Sequence, residues 1–146
     1  MLSLTTVIVF LSSLVGLGSG QTAIINLTYP PTTLQQMTST SPPSVCKVEV
    51  EFFDANSNLL NSQIALLTPG ESAQVTLTRN QLGRRVAAHP LFWTEAVLIN
   101  NCGNNANCDY TLCNINAIGE EADSSNSTDL VIHNEGGLAR FAAAPN

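Results

Sequence analysis

The stretch Cys46-Lys47-Val48-Glu49-Val50-Glu51-Phe52-Phe53 restricts the fold more than any other part of the 146-residue chain. Cys46, Val48, Val50 and Phe52 are apolar, and Lys47, Glu49 and Glu51 between them are charged. Successive strand side chains point to opposite faces, so this alternation predicts a β-strand with one buried face and one wet face. The buried face carries a cysteine, and a later part of the chain must come to meet it.

The rest of the chain continues in the same short units. Residues 23–29 read as a first strand stopped by Pro30-Pro31, because proline cannot donate to a strand ladder. Residues 32–43, rich in Thr, Ser and Pro, read as an extended tether. Turn formers from Asp54 to Asn58 lead into a second strand at 59–67, so the two strands predict a hairpin. Thr68-Pro69-Gly70-Glu71 has the order of a type II turn, residues 72–78 form a third strand, and 79–83 a loose helical turn ended by Gly83. Strand character returns at 84–89 and 91–100, on either side of Pro90. An Asn- and Gly-rich loop at 101–107 precedes a strand at 108–117 and an acidic loop at 120–128. Residues 129–133 and 138–142 flank Asn134-Glu135-Gly136-Gly137 as a closing hairpin. Roughly seven to nine short strands with no segment of helical period predict an all-β chain, an antiparallel β-sandwich. The sandwich domain occupies 45–146, after an N-terminal strand and tether at 21–44.

Residues 1–20 stand apart. From Leu2 to Leu17 they are apolar, Gly, Ser or Thr without a charge, and they end in Gly18-Ser19-Gly20. An apolar core followed by small residues is the pattern of an export signal cleaved before Gln21. No Lys or Arg precedes the apolar run, so an uncleaved membrane anchor is the alternative. All five basic residues lie beyond this segment and the net charge is -6. Only Arg84 and Arg85 are adjacent, which excludes nucleic acid as a partner, since phosphate binding needs a basic surface.

Four cysteines in an exported chain read as two disulfides rather than a metal site. Strand parity places Cys46 with Val48 and Val50, and Cys108 with Tyr110 and Leu112, on inward faces, which favours Cys46 with Cys108 and leaves Cys102 with Cys113. A tight hairpin at 103–107 would instead place Cys102 opposite Cys108.

The run from Cys46 to Leu60, then Leu67-Thr68-Pro69-Gly70-Glu71-Ser72-Ala73 and Cys108-Asp109-Tyr110-Thr111-Leu112, resembles secreted bacterial sandwich domains of immunoglobulin-like type. The likeness covers about half of the mature chain and consists mostly of turn chemistry. It departs in Ser57, where glycine is usual, and in the additional cysteines. It implies the fold, and it carries over no site residues.

Candidate sites are few. Asp54, Asn56 and Asn58 alternate as in the opening of a calcium loop, yet Leu59 and Ala65 stand where the motif needs Gly and Glu, so a hairpin turn is the reading. Glu120, Glu121, Asp123 and Asp129 could gather a cation, although a solvated acidic loop is the commoner outcome of such a run. Phe92 and Trp93 are adjacent, so a strand points them to opposite faces and the outward one is the candidate ligand contact. Asn26-Leu27-Thr28 and Asn126-Ser127-Thr128 are glycosylation triplets. His89 and His133 have no neighbouring partner beyond Glu135, and no nucleophile elbow occurs, so no catalytic residue, cofactor or metal is expected.

The expectation is a non-catalytic extracellular structural or surface protein. Ile24, Ile25, Leu27 and Tyr29, on a Pro- and Thr-rich tether, are the candidate strand for addition to a neighbouring copy in a fibre or layer. The alternative is a carbohydrate-binding or adhesion module using Trp93 or Phe92 with the loop at 101–107, and a weaker one is a small secreted hydrolase or inhibitor.

Overall fold

The computed structural model describes residues 6–17, 20–31, 40–82, 91–122, 128–132 and 141–143. Ten strands appear among them: β1 (Thr6–Leu11), β2 (Val15–Gly16), β3 (Thr22–Thr28), β4 (Cys46–Asp54), β5 (Leu59–Leu67), β6 (Ser72–Thr78), β7 (Leu91–Ile99), β8 (Asn116–Ala122), β9 (Thr128–Ile132) and β10 (Phe141–Ala143). They form two sheets, one ordered β10-β1-β7-β4-β5 with β2 also on β7, the other ordered β6-β3-β8-β9. Every strand pair is antiparallel.

Alternation places the core where the sequence puts it. Cys46, Val48, Val50 and Phe52 are buried on β4, and Phe92, Thr94, Ala96 and Leu98 on β7. From the second sheet, Ala23, Ile25 and Leu27 of β3 with Val75 and Leu77 of β6 join the same cluster. Both sheets thus bury their inner faces in one core, the usual way a sheet hides its apolar side. A residue with ~80–120 Å² of apolar side chain removed from water contributes about 2–3 kcal/mol at ~25 cal/mol per Å², so these facing rows are the main stabilising feature.

Within the segment 1–20 read as an export signal, residues 6–17 form β1 and β2 along β7, where Val7, Val9, Phe10, Val15 and Leu17 enter the core. Ser12 fixes the bend between the two strands: its Oγ accepts from Thr94 N at 2.8 Å and its N–H donates to Thr94 O at 3.0 Å. Among the described residues no helix is long and apolar enough to cross a membrane. The strand read at 23–29, a candidate for pairing with a neighbour or within its own sheet, is β3, which pairs along its whole length with β6 on one side and β8 on the other. With both ladders filled, Ile24, Ile25 and Leu27 belong to a central strand of the chain's own sheet, and Tyr29 beyond its end is buried with a backbone bond from its N–H to Glu71 O at 2.9 Å.

The disulfides also differ from the preferred pairing: Cys46 bonds Cys113 and Cys102 bonds Cys108. Parity applies only within a strand, and residues 108–115 are not one. Asp109 caps a short 3-10 turn at Tyr110–Leu112, its Oδ1 accepting from Thr111 N at 3.0 Å. The turn carries Cys113 inward to Cys46, both being buried, while Cys108 stays half-exposed and closes the Asn-rich loop with Cys102. The closing hairpin is not formed either, because β9 pairs with β8 in one sheet and β10 with β1 in the other. Glu120, Glu121 and Ala122, read as the start of the acidic loop, belong instead to β8.

Candidate functional site

The outward face of the first sheet is the part of the surface that the core does not explain. Its rows can be read across β5, β4 and β7: Leu66, Lys47 and Ile99; Ile64, Glu49 and Val97; Ser62, Glu51 and Glu95; Leu59, Phe53 and Trp93. A bulge at Phe52 and Phe53 makes the last row, because Leu60 and Asn61 together oppose Phe52 and Leu59 is turned outward beside Phe53. Leu59, Ile64 and Leu66 are 54%, 53% and 60% exposed. Apolar side chains therefore occupy both ends of this face and carboxylates its middle.

Those carboxylates are perturbed. Partial burial, then the charges of Glu49 and Glu95, push the Glu51 carboxyl above its ordinary range, and burial alone does the same for Glu95. Glu49 is engaged instead by the Ser62 hydroxyl, which donates to its Oε2 at 3.1 Å.

The two aromatics separate as alternation requires. Phe92 is buried, its ring 6.2 Å from that of Phe52 in a tilted packing. Trp93 faces outward and stacks on Phe53, with centroids 4.3 Å apart and 19° between the planes. That separation is close to the ~4.8 Å between neighbouring strands. The rings therefore stand side by side on adjacent strands and turn their edges to solvent, a cross-strand pair that stabilises the sheet and not a flat platform. Nor does Trp93 meet the loop at 101–107: Ile99 lies six residues further along β7, roughly 20 Å away. In that loop the amides hold the backbone, Asn101 donating to Val45 O at 2.9 Å and Asn100 accepting from Cys102 N at 3.0 Å.

The other candidates are occupied structurally. The Asp54 carboxylate accepts from the backbone N–H groups of Asn56 and Asn58, both at 2.9 Å, and from the Asn58 amide at 3.0 Å, which lowers its pKa and makes a turn rather than a cation loop. Ser57 holds a φ of 66°, the left-handed conformation for which glycine is usual. Asn26 donates to Glu120 Oε1 at 2.7 Å and accepts from Gln74 at 2.9 Å, so its amide is engaged in a ladder over the second sheet. Glu121 points to the buried side of β8 and Glu120 to the other, so the two do not converge on one ion. Among the described residues no group of three or more His, Cys, Asp or Glu could hold a metal. His89, Asp123, Asn126 and His133 lie outside the described residues, as does the side chain of Asp129.

The strand expected at 59–67 is β5, but the sequence reading did not place it at the end of a sheet. Its nine residues, Leu-Leu-Asn-Ser-Gln-Ile-Ala-Leu-Leu, carry no charge, and among the described residues nothing pairs with its outer side. The neighbouring edge of the second sheet is shielded, since Gln63 reaches over to donate to Thr76 O of β6 at 2.7 Å. Edge strands are normally protected by charge, proline or shortness, and β5 has none of these. No protein-family model, curated protein or solved structure matches this chain, so the reading of the site rests on its own chemistry.

Proposed function

We propose that this chain is a non-catalytic, exported structural or surface protein, an immunoglobulin-like β-sandwich that associates with copies of itself through the open edge of β5. The observation that carries the reading is that uncharged edge with Leu59, Ile64 and Leu66 exposed along it. Unpaired backbone groups on such an edge are a template for another strand. Export is supported by the two disulfides, which persist in oxidising compartments.

Light scattering after gel filtration tests this directly. The wild-type protein is expected to run as a concentration-dependent oligomer, and Ile64→Lys with Leu66→Lys as a folded monomer, since both positions face solvent and lysine blunts an edge. A wild-type protein that stays monomeric at high micromolar concentration would overturn the proposal.

A further inference from the structure

The free edge of β5 has a bonding pattern that its own copy matches. We infer that two copies pair antiparallel along β5 about a two-fold axis at Ile64, joining their first sheets into one, and that this contact closes as a dimer. The inference rests on the reading of β5 as the site of self-association and fixes the geometry of that contact.

Bonds already present set the pattern of the edge. The Asp54 N–H donates to Asn58 O at 2.9 Å, which makes these two a hydrogen-bonded pair. Bonded and non-bonded pairs alternate along an antiparallel ladder. From that pair onward, Phe52 bonds to the bulge at Leu60 and Asn61, Val50 to Gln63 and Val48 to Ala65; Glu51 with Ser62, Glu49 with Ile64 and Lys47 with Leu66 are the non-bonded pairs. The other side of β4 gives the same answer. Thr94 faces Phe52 there, yet its N–H and C=O are both taken by Ser12, so Phe52 bonds toward β5. Ser62, Ile64 and Leu66 therefore aim their backbone groups at the open side.

Those three positions select the register. With the axis at Ile64, Ile64 faces Ile64 of the other copy and Ser62 faces Leu66, so each finds a bonded partner. With the axis at Gln63, Leu66 would meet Leu60 in the bulge. With the axis at Ala65, Ser62 would meet Thr68, whose N–H already donates to Glu71 Oε1 at 2.8 Å. No residue of β5 is charged, so no like charges oppose each other across the new ladder, and the exposed Ile64 and Leu66 gain cross-strand neighbours. Lys47 of one copy falls in the row of Glu51 and Glu95 of the other. The two Glu49 side chains stand three strand spacings apart, ~14 Å, beyond the ~8 Å screening length of physiological salt.

The other sheet edges match β5 less well. β9 and β10 have five and three residues against its nine, and on β6 the Thr76 carbonyl is already taken by Gln63. A contact between identical edges uses up the edge in both copies, so assembly through β5 stops at two rather than growing into a fibre.

The test uses the full chain. In light scattering over a concentration series, the wild-type mass is expected to rise to two subunits and stay there. Under mild oxidation after folding, Ile64→Cys should link to itself, and Ser62→Cys should link to Leu66→Cys when the two proteins are mixed, while neither of those links to itself. Residues directly opposite stand ~5.5 Å apart at Cα, within the span of a disulfide, and a shift of two residues takes them past it. Masses that grow beyond two subunits, dimers in which Ile64→Cys fails to link, or linking of Ser62→Cys to Ile64→Cys would overturn the inference. Larger assemblies that Ile64→Lys with Leu66→Lys dissolves would remove the closed dimer and leave the β5 edge as the site of association, whereas a wild-type monomer at high micromolar concentration would remove both.

Discussion

The two disulfides should contribute unequally, and the difference can be worked from their spans. Cys46 and Cys113 are 67 residues apart, and Cys102 and Cys108 only 6. In the chain-entropy treatment, the long loop restrains the unfolded chain by about 4 kcal/mol and the short one by about 2 kcal/mol. Replacing Cys46 and Cys113 together by alanine should therefore destabilise the fold by about 4 kcal/mol, plus a small packing loss, since both sulfurs are buried in the shared core. Replacing Cys102 and Cys108 should cost about 2 kcal/mol and loosen a loop that is already at the surface. For a chain of this length the melting temperature moves by about 3–4 °C for each kcal/mol, so the drops should be about 12–16 °C and about 6–8 °C.

Peptide mapping checks the connectivity on which those figures depend. Cleavage before aspartate cuts at Asp54, Asp109 and Asp123 and separates Cys46, the pair Cys102 and Cys108, and Cys113 into three fragments. With the pairing found here, the fragment holding Cys113 stays joined to the one holding Cys46, and the middle fragment comes away alone with its internal bridge. With Cys46 bonded to Cys108 and Cys102 to Cys113, all three would travel as one species until reduced. A single three-part species, or equal melting shifts for the two double variants, would refute the reasoning.

Two further outcomes concern the outward face of the first sheet. Trp93→Ala should lower the melting temperature by a few degrees, because the stack on Phe53 is worth about 0.5–1.5 kcal/mol beyond its buried area; retention on a polysaccharide column that vanishes while the melting temperature holds would instead favour the carbohydrate-binding alternative. Glu95→Gln should stabilise the protein at pH 7 and not at pH 4: burial raises the carboxyl above its ordinary value of 4.5, so the group's contribution is complete below that value and is lost as the pH rises through the raised one. Thermal melts of both proteins at the two pH values decide this, and an equal difference at each would contradict it.

How far the sequence could be read depended on whether a feature is local. β3 to β7 were legible because alternation is written into each strand by itself, as in Cys46 to Phe52, and the turn at Asp54 to Asn58 was legible because its hydrogen bonds stay within the turn. The stack of Trp93 on Phe53 was not legible, since it depends on the register between strands forty residues apart. The partner of Cys46 was missed because a 3-10 turn interrupts what looked like a strand. β5 shows both cases at once: its lack of charge is visible in the sequence, whereas its place at the end of a sheet is a property of the assembled fold.

Residues 6–17 show the hardest case, where one property serves two ends. A leader must be apolar and uncharged to enter a membrane, and a strand between two neighbours must be apolar and uncharged to enter a core. Thr-Val-Ile-Val-Phe-Leu satisfies both. The residues that follow do not separate the readings, because the small Gly18-Ser19-Gly20 suits a peptidase while Gly20 also adopts a φ of 76° just ahead of β3. The fold needs a strand at this position whichever reading holds, since five core side chains and the outer ladder of β7 depend on it. With the segment in place the ladder of β7 is filled on both sides by β1 and β4, so the apolar character that makes it read as a leader is the same character that lets it close this sheet.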